Sequence, residues 1–250
     1  MPEARTTAAR RAMPEALPHG DIAELLPGIH FVTGSIRMTA PLPTRFSRNM
    51  TILRQDGALV LINSVRLDEP GLRALDALGE VKHVLRMAGF HGSDDPFYKD
   101  RYGATIWSVD APYVPGFDAG APPYFTADEI LTETTELPIQ GARLIPFHSA
   151  RTAEAMLFLD RDGGILVSGD CLQNWARPDR FFSLPARLMM RAMGFIRPYN
   201  VGPGWLKIAK PDPAEIKALL DLDFEHVLPA HGALVIGNAK ALYTPRIAAL

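Results

Sequence analysis

Phe90-His91-Gly92-Ser93-Asp94-Asp95-Pro96 is the stretch on which the reading of the fold turns. It follows an apolar, strand-like run at residues 81–86 and breaks that pattern abruptly with a histidine, a glycine and two acids. Polar residues gathered where a predicted strand ends point to a layered α/β scaffold, in which rigid strands carry chemistry on the loops at their edges. Three further places repeat the arrangement. His148 follows a run at 144–147, Gly169-Asp170-Cys171 follows one at 164–168, and His231-Gly232 follows one at 226–229. Three histidines and three carboxylates at the ends of successive strands make a donor set suited to zinc or another divalent metal.

Outward from these loops, the chain supplies layers to hold them. Residues 29–33, 49–54 and 58–63 read as strands, and Gln55-Asp56-Gly57 joins the last two as a hairpin in which Gly57 can take positive φ. Residues 69–78 place Leu72, Leu75 and Leu78 on one helical face, with Pro70 in the first turn and Gly79 past the end. The segment 91–98 reads as a polar loop and 102–109 as a strand. Residues 155–160 and 164–168 pair across Arg161-Asp162-Gly163, and helical patterns cover 183–195 and 213–220. The Pro- and Gly-rich stretch 111–123 reads as a loop. Hairpins and βα units thus occur in both halves, which fits two sheets packed face to face with helices outside.

Composition bounds the rest. The chain has 250 residues, 47% apolar and 22% charged, an ordinary globular balance at a length that buries a core without staples. A single domain over 21–250 is expected after a disordered tail, 1–20, rich in Ala, Arg and Pro and without periodicity. Lys and Arg number 26 against 28 Asp and Glu, with no long run of one sign, so neither nucleic-acid binding nor a polybasic membrane role is expected. No apolar stretch reaches the length of a bilayer span. The first residues lack the apolar core of a secretory signal, and the one cysteine, Cys171, has no internal partner. The expected location is the cytoplasm.

The order and setting of the four loops resemble the metallo-β-lactamase superfamily. Val167-Ser168-Gly169-Asp170 is similar to that family's metal-bridging aspartate step, Pro229-Ala230-His231-Gly232 to its late histidine, and Ile145-Pro146-Phe147-His148-Ser149 to its third-histidine segment. The resemblance runs from about residue 28 to about 240. The family's His-x-His-x-Asp-His loop aligns from His91, which puts Ser93 in the second-histidine place and Pro96 in the last. An alignment with His91 as the last histidine would leave Arg86, Ala88 and Phe90 in the other places, so the first is preferred because it keeps His91 with Asp95.

The resemblance implies a four-layer αββα sandwich of two mixed sheets. It implies one metal position at His91, His148 and Asp170 and another at Asp95, Asp170 and His231, with Asp95 and Asp170 as catalytic residues. Zinc, as one or two ions, is the expected cofactor, with iron or manganese as alternatives. The implied activity is hydrolysis of a small ester, lactone or thioester by a metal-activated water. A β-lactam is not the expected substrate, because the fold hosts many chemistries. The rival expectation, motivated by Ser93 and Pro96, is a catalytically silent member that binds a ligand or partner. Homodimerisation stays open.

Several residues carry a plainer reading beside the functional one. Asp94-Asp95-Pro96 is also an ordinary helix start, leading into 97–102. Glu154 reads as a turn residue or as an acid behind the ligands, and Cys171 as a buried small residue rather than a nucleophile. Gln173, Asn174 and Trp175 are placed to line a pocket. The Met- and Phe-rich segment 181–205 reads as an apolar substrate wall, as core, or as a dimer interface. His19, His30, His83 and His226 read as surface or core residues.

Overall fold

The chain opens with strands β1 (Ala23–Leu26), β2 (Ile29–Met38), β3 (Thr44–Gln55) and β4 (Ala58–Ile62). Helix α1 (Glu69–Leu78), strand β5 (Glu80–Arg86), helix α2 (Asp95–Tyr102) and strands β6 (Thr105–Ser108) and β7 (Glu129–Ile130) follow. The second half begins with β8 (Ala142–Pro146), β9 (Ala155–Leu159), β10 (Ile165–Ser168) and β11 (Leu172–Gln173). It continues through α3 (Leu184–Ala192), β12 (Asn200–Val201), α4 (Pro203–Ala209) and α5 (Pro213–Lys217). Strands β13 (His226–Pro229) and β14 (Val235–Ile236) and helix α6 (Ala239–Ala248) close it. These elements come from a computed structural model that describes residues 13, 15–39, 43–116 and 120–250.

Among the described residues, β1 to β7 form one sheet in sequence order, antiparallel as far as β4 and parallel beyond it. The second sheet runs β14-β13-β10-β9-β8, with β10 and β13 parallel and the other pairs antiparallel. Period-two alternation makes these sheets the inner layers of a sandwich. In β4, Val60 and Ile62 enter the core between the sheets, while Leu59 and Leu61 face α1 and α2, packing with Leu72, Leu75, Phe97 and Tyr98. In β9, Leu157 and Leu159 face the first sheet, while Met156 and Phe158 join Trp205, Ile216, Tyr243 and Ile247 of the outer helices. Strands buried on both faces read as unbroken apolar runs. The four-layer αββα sandwich with two mixed sheets is the observed architecture.

The punctuation works as its chemistry dictates. At the β3–β4 hairpin Asp56 and Gly57 both take positive φ, 51° and 78°, the signature of a type I′ turn. Asp68 caps α1 through the Gly71 N–H at 2.9 Å. The expected polar loop at 91–98 gives way to α2 at Asp95, so the helix-start reading of Asp94-Asp95-Pro96 describes the backbone there. Gly103 ends α2 at φ 66°, which shortens the strand expected over 102–109. Helices α4 and α6 were not legible: α4 is Gly- and Pro-rich, and α6 contains Pro245. Most of the expected tail lies outside the described residues. Among the described residues of that segment, the Pro18 carbonyl accepts from Ser35 Oγ at 2.8 Å. Just beyond it, Gly20 N–H donates to the Thr33 carbonyl and Asp68 N–H to His19 Nε2.

Candidate metal centre

Three of the loops singled out in the sequence meet where the two sheets end. His91 follows β5 of the first sheet, Asp170 follows β10 and His231 follows β13 of the second. His91 Nε2 lies 3.2 Å from His231 Nε2 and 3.4 Å from Asp170 Oδ2, and His231 Nε2 lies 3.2 Å from Asp170 Oδ1. Their side chains keep only 14%, 13% and 9% of their surface, in the order His91, Asp170, His231.

The partners of the other ring nitrogens settle the tautomers. His231 Nδ1 faces the Ser47 carbonyl at 3.2 Å, and His91 Nδ1 faces Asn63 Oδ1 at 3.4 Å. Both partners only accept, so each Nδ1 carries the proton and each Nε2 turns its lone pair to the centre. Burial works against the ionised form of Asp170, and what holds its carboxyl below the usual carboxylate range is positive charge on the two imidazoles beside it, the charge that a bound cation would supply in their place. Two lone pairs and a carboxylate within hydrogen-bonding distance of one another repel unless a cation or a shared proton lies among them. The spacing also suits a metal. Ligands at about 2.0–2.1 Å in a tetrahedron stand roughly 3.3–3.4 Å apart, close to the three separations measured.

The scaffold holds each ligand from behind. Asn63 takes φ 55° at the end of β4. Its Nδ2 donates to the Ser168 carbonyl at 3.1 Å and its Oδ1 accepts from Met87 N–H at 3.3 Å, tying the His91 loop to the Asp170 loop. Buried Asn49 donates to the Pro229 and Gly232 carbonyls at 2.8 and 2.7 Å, fixing the turn that carries His231. Gly232 sits at φ 91°, where a Cβ would run into the backbone of Asn174 and Trp175. Trp175 forms a wall 5.1 Å from the His231 ring, with its Nε1 on Ser47 Oγ at 2.9 Å and its ring against Phe46 and Phe182.

The other sequence candidates lie elsewhere. His148 is 64% exposed, and its Nε2 pairs with Glu133 Oε1 at 2.7 Å. It lines a cleft of about 570 Å³ with Glu133, Phe147 and Glu154 rather than joining His91. Asp95 is fully buried in the first turn of α2, where its oxygens accept from Ser64 Oγ at 2.6 Å and Tyr113 OH at 2.7 Å. Burial raises its carboxyl above the ordinary aspartate value despite those bonds. Ser93 accepts from Arg48 Nη1 at 3.2 Å, and Asp94 forms an ion pair with Arg48 while accepting from Arg66 N–H at 2.6 Å. Of the five candidate ligands, the fold gathers His91, Asp170 and His231, and it gives His148 and Asp95 other partners.

Sequence reasoning passed over three residues here, and of its two readings of Glu154, a turn residue or an acid behind the ligands, the structure fits the second. Glu154 is no surface turn residue: it is 2% exposed, and its Oε1 accepts the Cys171 N–H at 2.6 Å behind Asp170. Burial, reinforced by the Asp170 charge, pushes its carboxyl well above the usual range. Asn49, Asn63 and Arg48 are each an unremarkable polar residue beside a strand-like run, and only their long-range partners reveal their part. Cys171 is fully buried, as expected.

No family model and no curated protein matches the sequence. Solved structures do match the fold. A metallo-β-lactamase of Pseudomonas aeruginosa in its mono-zinc form superposes with a TM-score of 0.60 at 13% identity, covering 95% of this chain and 98% of that one. One of Erythrobacter litoralis, with β-mercaptoethanol in its active site, gives 0.62 at 14% identity, covering 92% and 96%. One of Hirschia baltica gives 0.58 at 14% identity, covering 91% and 96%. With the layer order and the strand-end histidines on the same edge, the chain has the metallo-β-lactamase fold.

Proposed function

We propose that this protein is a metal-dependent hydrolase of a small ester, lactone or thioester, working with a single divalent ion held by His91, Asp170 and His231. The observation that carries the reading is the convergence of both Nε2 lone pairs and the Asp170 carboxylate at tetrahedral-edge spacings. Three protein ligands leave a coordination place open for water or substrate. Zinc suits two imidazoles and a carboxylate, and a structural relative described in a mono-zinc form lends support to one ion. Iron or manganese would use the same donors.

When bound, such an ion polarises a carbonyl oxygen and supplies a water acidified to near neutral pH. The chain does the rest. Ser47 and Asn63 lock the imidazoles in the tautomer that presents Nε2. Asp170 is the carboxylate gathered with them among the described residues, so it would balance the ion's charge as a ligand. Trp175 and Phe46 shield the His231 side from solvent and offer an apolar wall to a substrate.

The silent-member reading is favoured by one observation: Arg48 occupies Ser93 and Asp94, and His148 and Asp95 are bonded elsewhere, so no second set of ligands is gathered among the described residues. Elemental analysis of protein purified without chelators, run beside hydrolysis of a generic aryl ester, separates the two. The proposal expects close to one metal per chain and turnover, both lost in Asp170→Ala. Metal without turnover selects the silent reading, and an absence of metal that added zinc does not restore overturns the proposed centre.

A further inference from the structure

The charge balance of the chain hides a local excess. Residues 177–197, α3 and its flanks, carry Arg177, Arg180, Arg187, Arg191 and Arg197 against a single acid, Asp179. All five arginines are exposed, and no ion pair joins any of them to a carboxylate among the described residues. The same segment holds Leu184, Leu188 and Met193 at 69%, 66% and 51% exposure. Single exposed leucines are common, but here two stand one helical turn apart beside guanidinium groups without a carboxylate partner, of which Arg187 donates only to the Phe182 and Asp179 carbonyls.

The geometry of α3 makes this one surface. At 100° per residue, Leu184, Arg187, Leu188 and Arg191 fall within about 100° of arc. Ala186 and Met190, on the opposite side, are buried against Trp175 and Phe182. The helix therefore rests on the wall beside the metal centre and turns a mixed leucine–arginine face outward.

We propose that this face docks on an anionic lipid surface. A bilayer interface accepts both components, leucine side chains at the acyl boundary and guanidinium groups among the phosphates, with the long arginine stems reaching back to the charge. A second copy of the chain is a poor occupant, because an isologous dimer sets the same arginines against each other. A nucleic acid would meet the charge but leave the leucines in water. No helix among the described residues is long and apolar enough to cross a membrane, so the attachment is peripheral. The expectation that the charge pattern excludes a membrane role rested on unbroken runs. Here Arg187 and Arg191 are separated in sequence and come together on one face of the helix.

Flotation of the full-length protein with phosphatidylcholine vesicles, with and without phosphatidylserine, tests the proposal. Association with the anionic vesicles is expected, with little on the neutral ones, falling as salt shortens the screening length. Each interfacial arginine contributes about 1 kcal/mol, or roughly fivefold, so Arg187→Ala/Arg191→Ala should bind roughly 25-fold more weakly. Leu184→Ser/Leu188→Ser should weaken binding even at low salt. The leucine pair is exposed and should melt like the wild type, and the arginine pair, which gives up the Arg187 bonds to the Phe182 and Asp179 carbonyls, should keep the wild-type fold by circular dichroism. Asp170→Ala should bind vesicles like the wild type, which keeps this result independent of the metal centre. The proposal is overturned by no association with anionic vesicles, by equal binding of the arginine pair, or by capture on polyglutamate in place of lipid. Self-association in sedimentation that Leu188→Arg abolishes would equally overturn it.

Discussion

Adding zinc to chelator-treated protein offers the sharpest perturbation of the proposed centre. In stripped protein, the two Nε2 atoms and the Asp170 carboxylate remain packed at 3.2–3.4 Å with only a shared proton to relieve them. Zinc that binds this folded arrangement and not the unfolded chain stabilises by mass action, about 2.7 kcal/mol when free metal stands at 100 times its dissociation constant. For a chain of this size each kcal/mol moves the melting temperature by about 2–4 °C, so the expected rise is about 5–11 °C. Differential scanning fluorimetry of chelator-treated protein against a zinc series measures it. Asp170→Ala and His231→Ala should lose the rise. His148→Ala should keep it in full, since His148 is 64% exposed and bonded to Glu133. A wild-type protein without the rise, or a rise that survives Asp170→Ala and disappears in His148→Ala, would refute the reasoning.

Other expectations follow from the supporting residues. Gly232→Ala forces a side chain into the Asn174–Trp175 backbone at φ 91°, so urea titration should show a loss of about 2–5 kcal/mol, accompanied by weaker zinc binding. Tyr113→Phe leaves buried Asp95 Oδ2 without its donor and should cost about 1–3 kcal/mol while sparing the zinc-induced rise, because the pair supports α2 and not the ion. Asn49→Ala strips the Pro229 and Gly232 carbonyls of their donors at once, and chemical denaturation should register about 2–4 kcal/mol. Burial and the bond to Asp76 push the Tyr102 hydroxyl up to about 12. A raised folded-state value means its contribution is complete below the unfolded value of about 10 and fades as pH climbs towards 12. Wild type should therefore lose more stability than Tyr102→Phe over that window, and an equal loss in both would count against the assignment.

Strands were legible because a strand covered on both faces must be apolar at every position, and 58–62 and 155–159 are. Helix α1 was legible to its ends because Pro70 and Gly79 are local signals whose chemistry needs no tertiary partner, and the structure adds Asp68 as its cap. Helix α6 was not, since Pro245 contradicts its local pattern and the packing of Tyr243 and Ile247 overrides it.

At the candidate centre the same division holds. Which residues are capable ligands, and that they follow strands, is written in the local alternation of apolar runs and abrupt polar breaks. The sequence alone therefore determined the layered fold and the loops of His91, Asp170 and His231. Whether a given capable residue joins the cluster at the sheet edge is a question of partners tens of residues away, and only the tertiary structure decided it. It turned Asp95 onto Ser64 and Tyr113, sent His148 to Glu133, and brought Asn49, Asn63 and Glu154 behind the ligands. A buried carboxylate or amide must be satisfied by whichever groups the packed sheets bring within about 3 Å, and that choice has no signature along the chain.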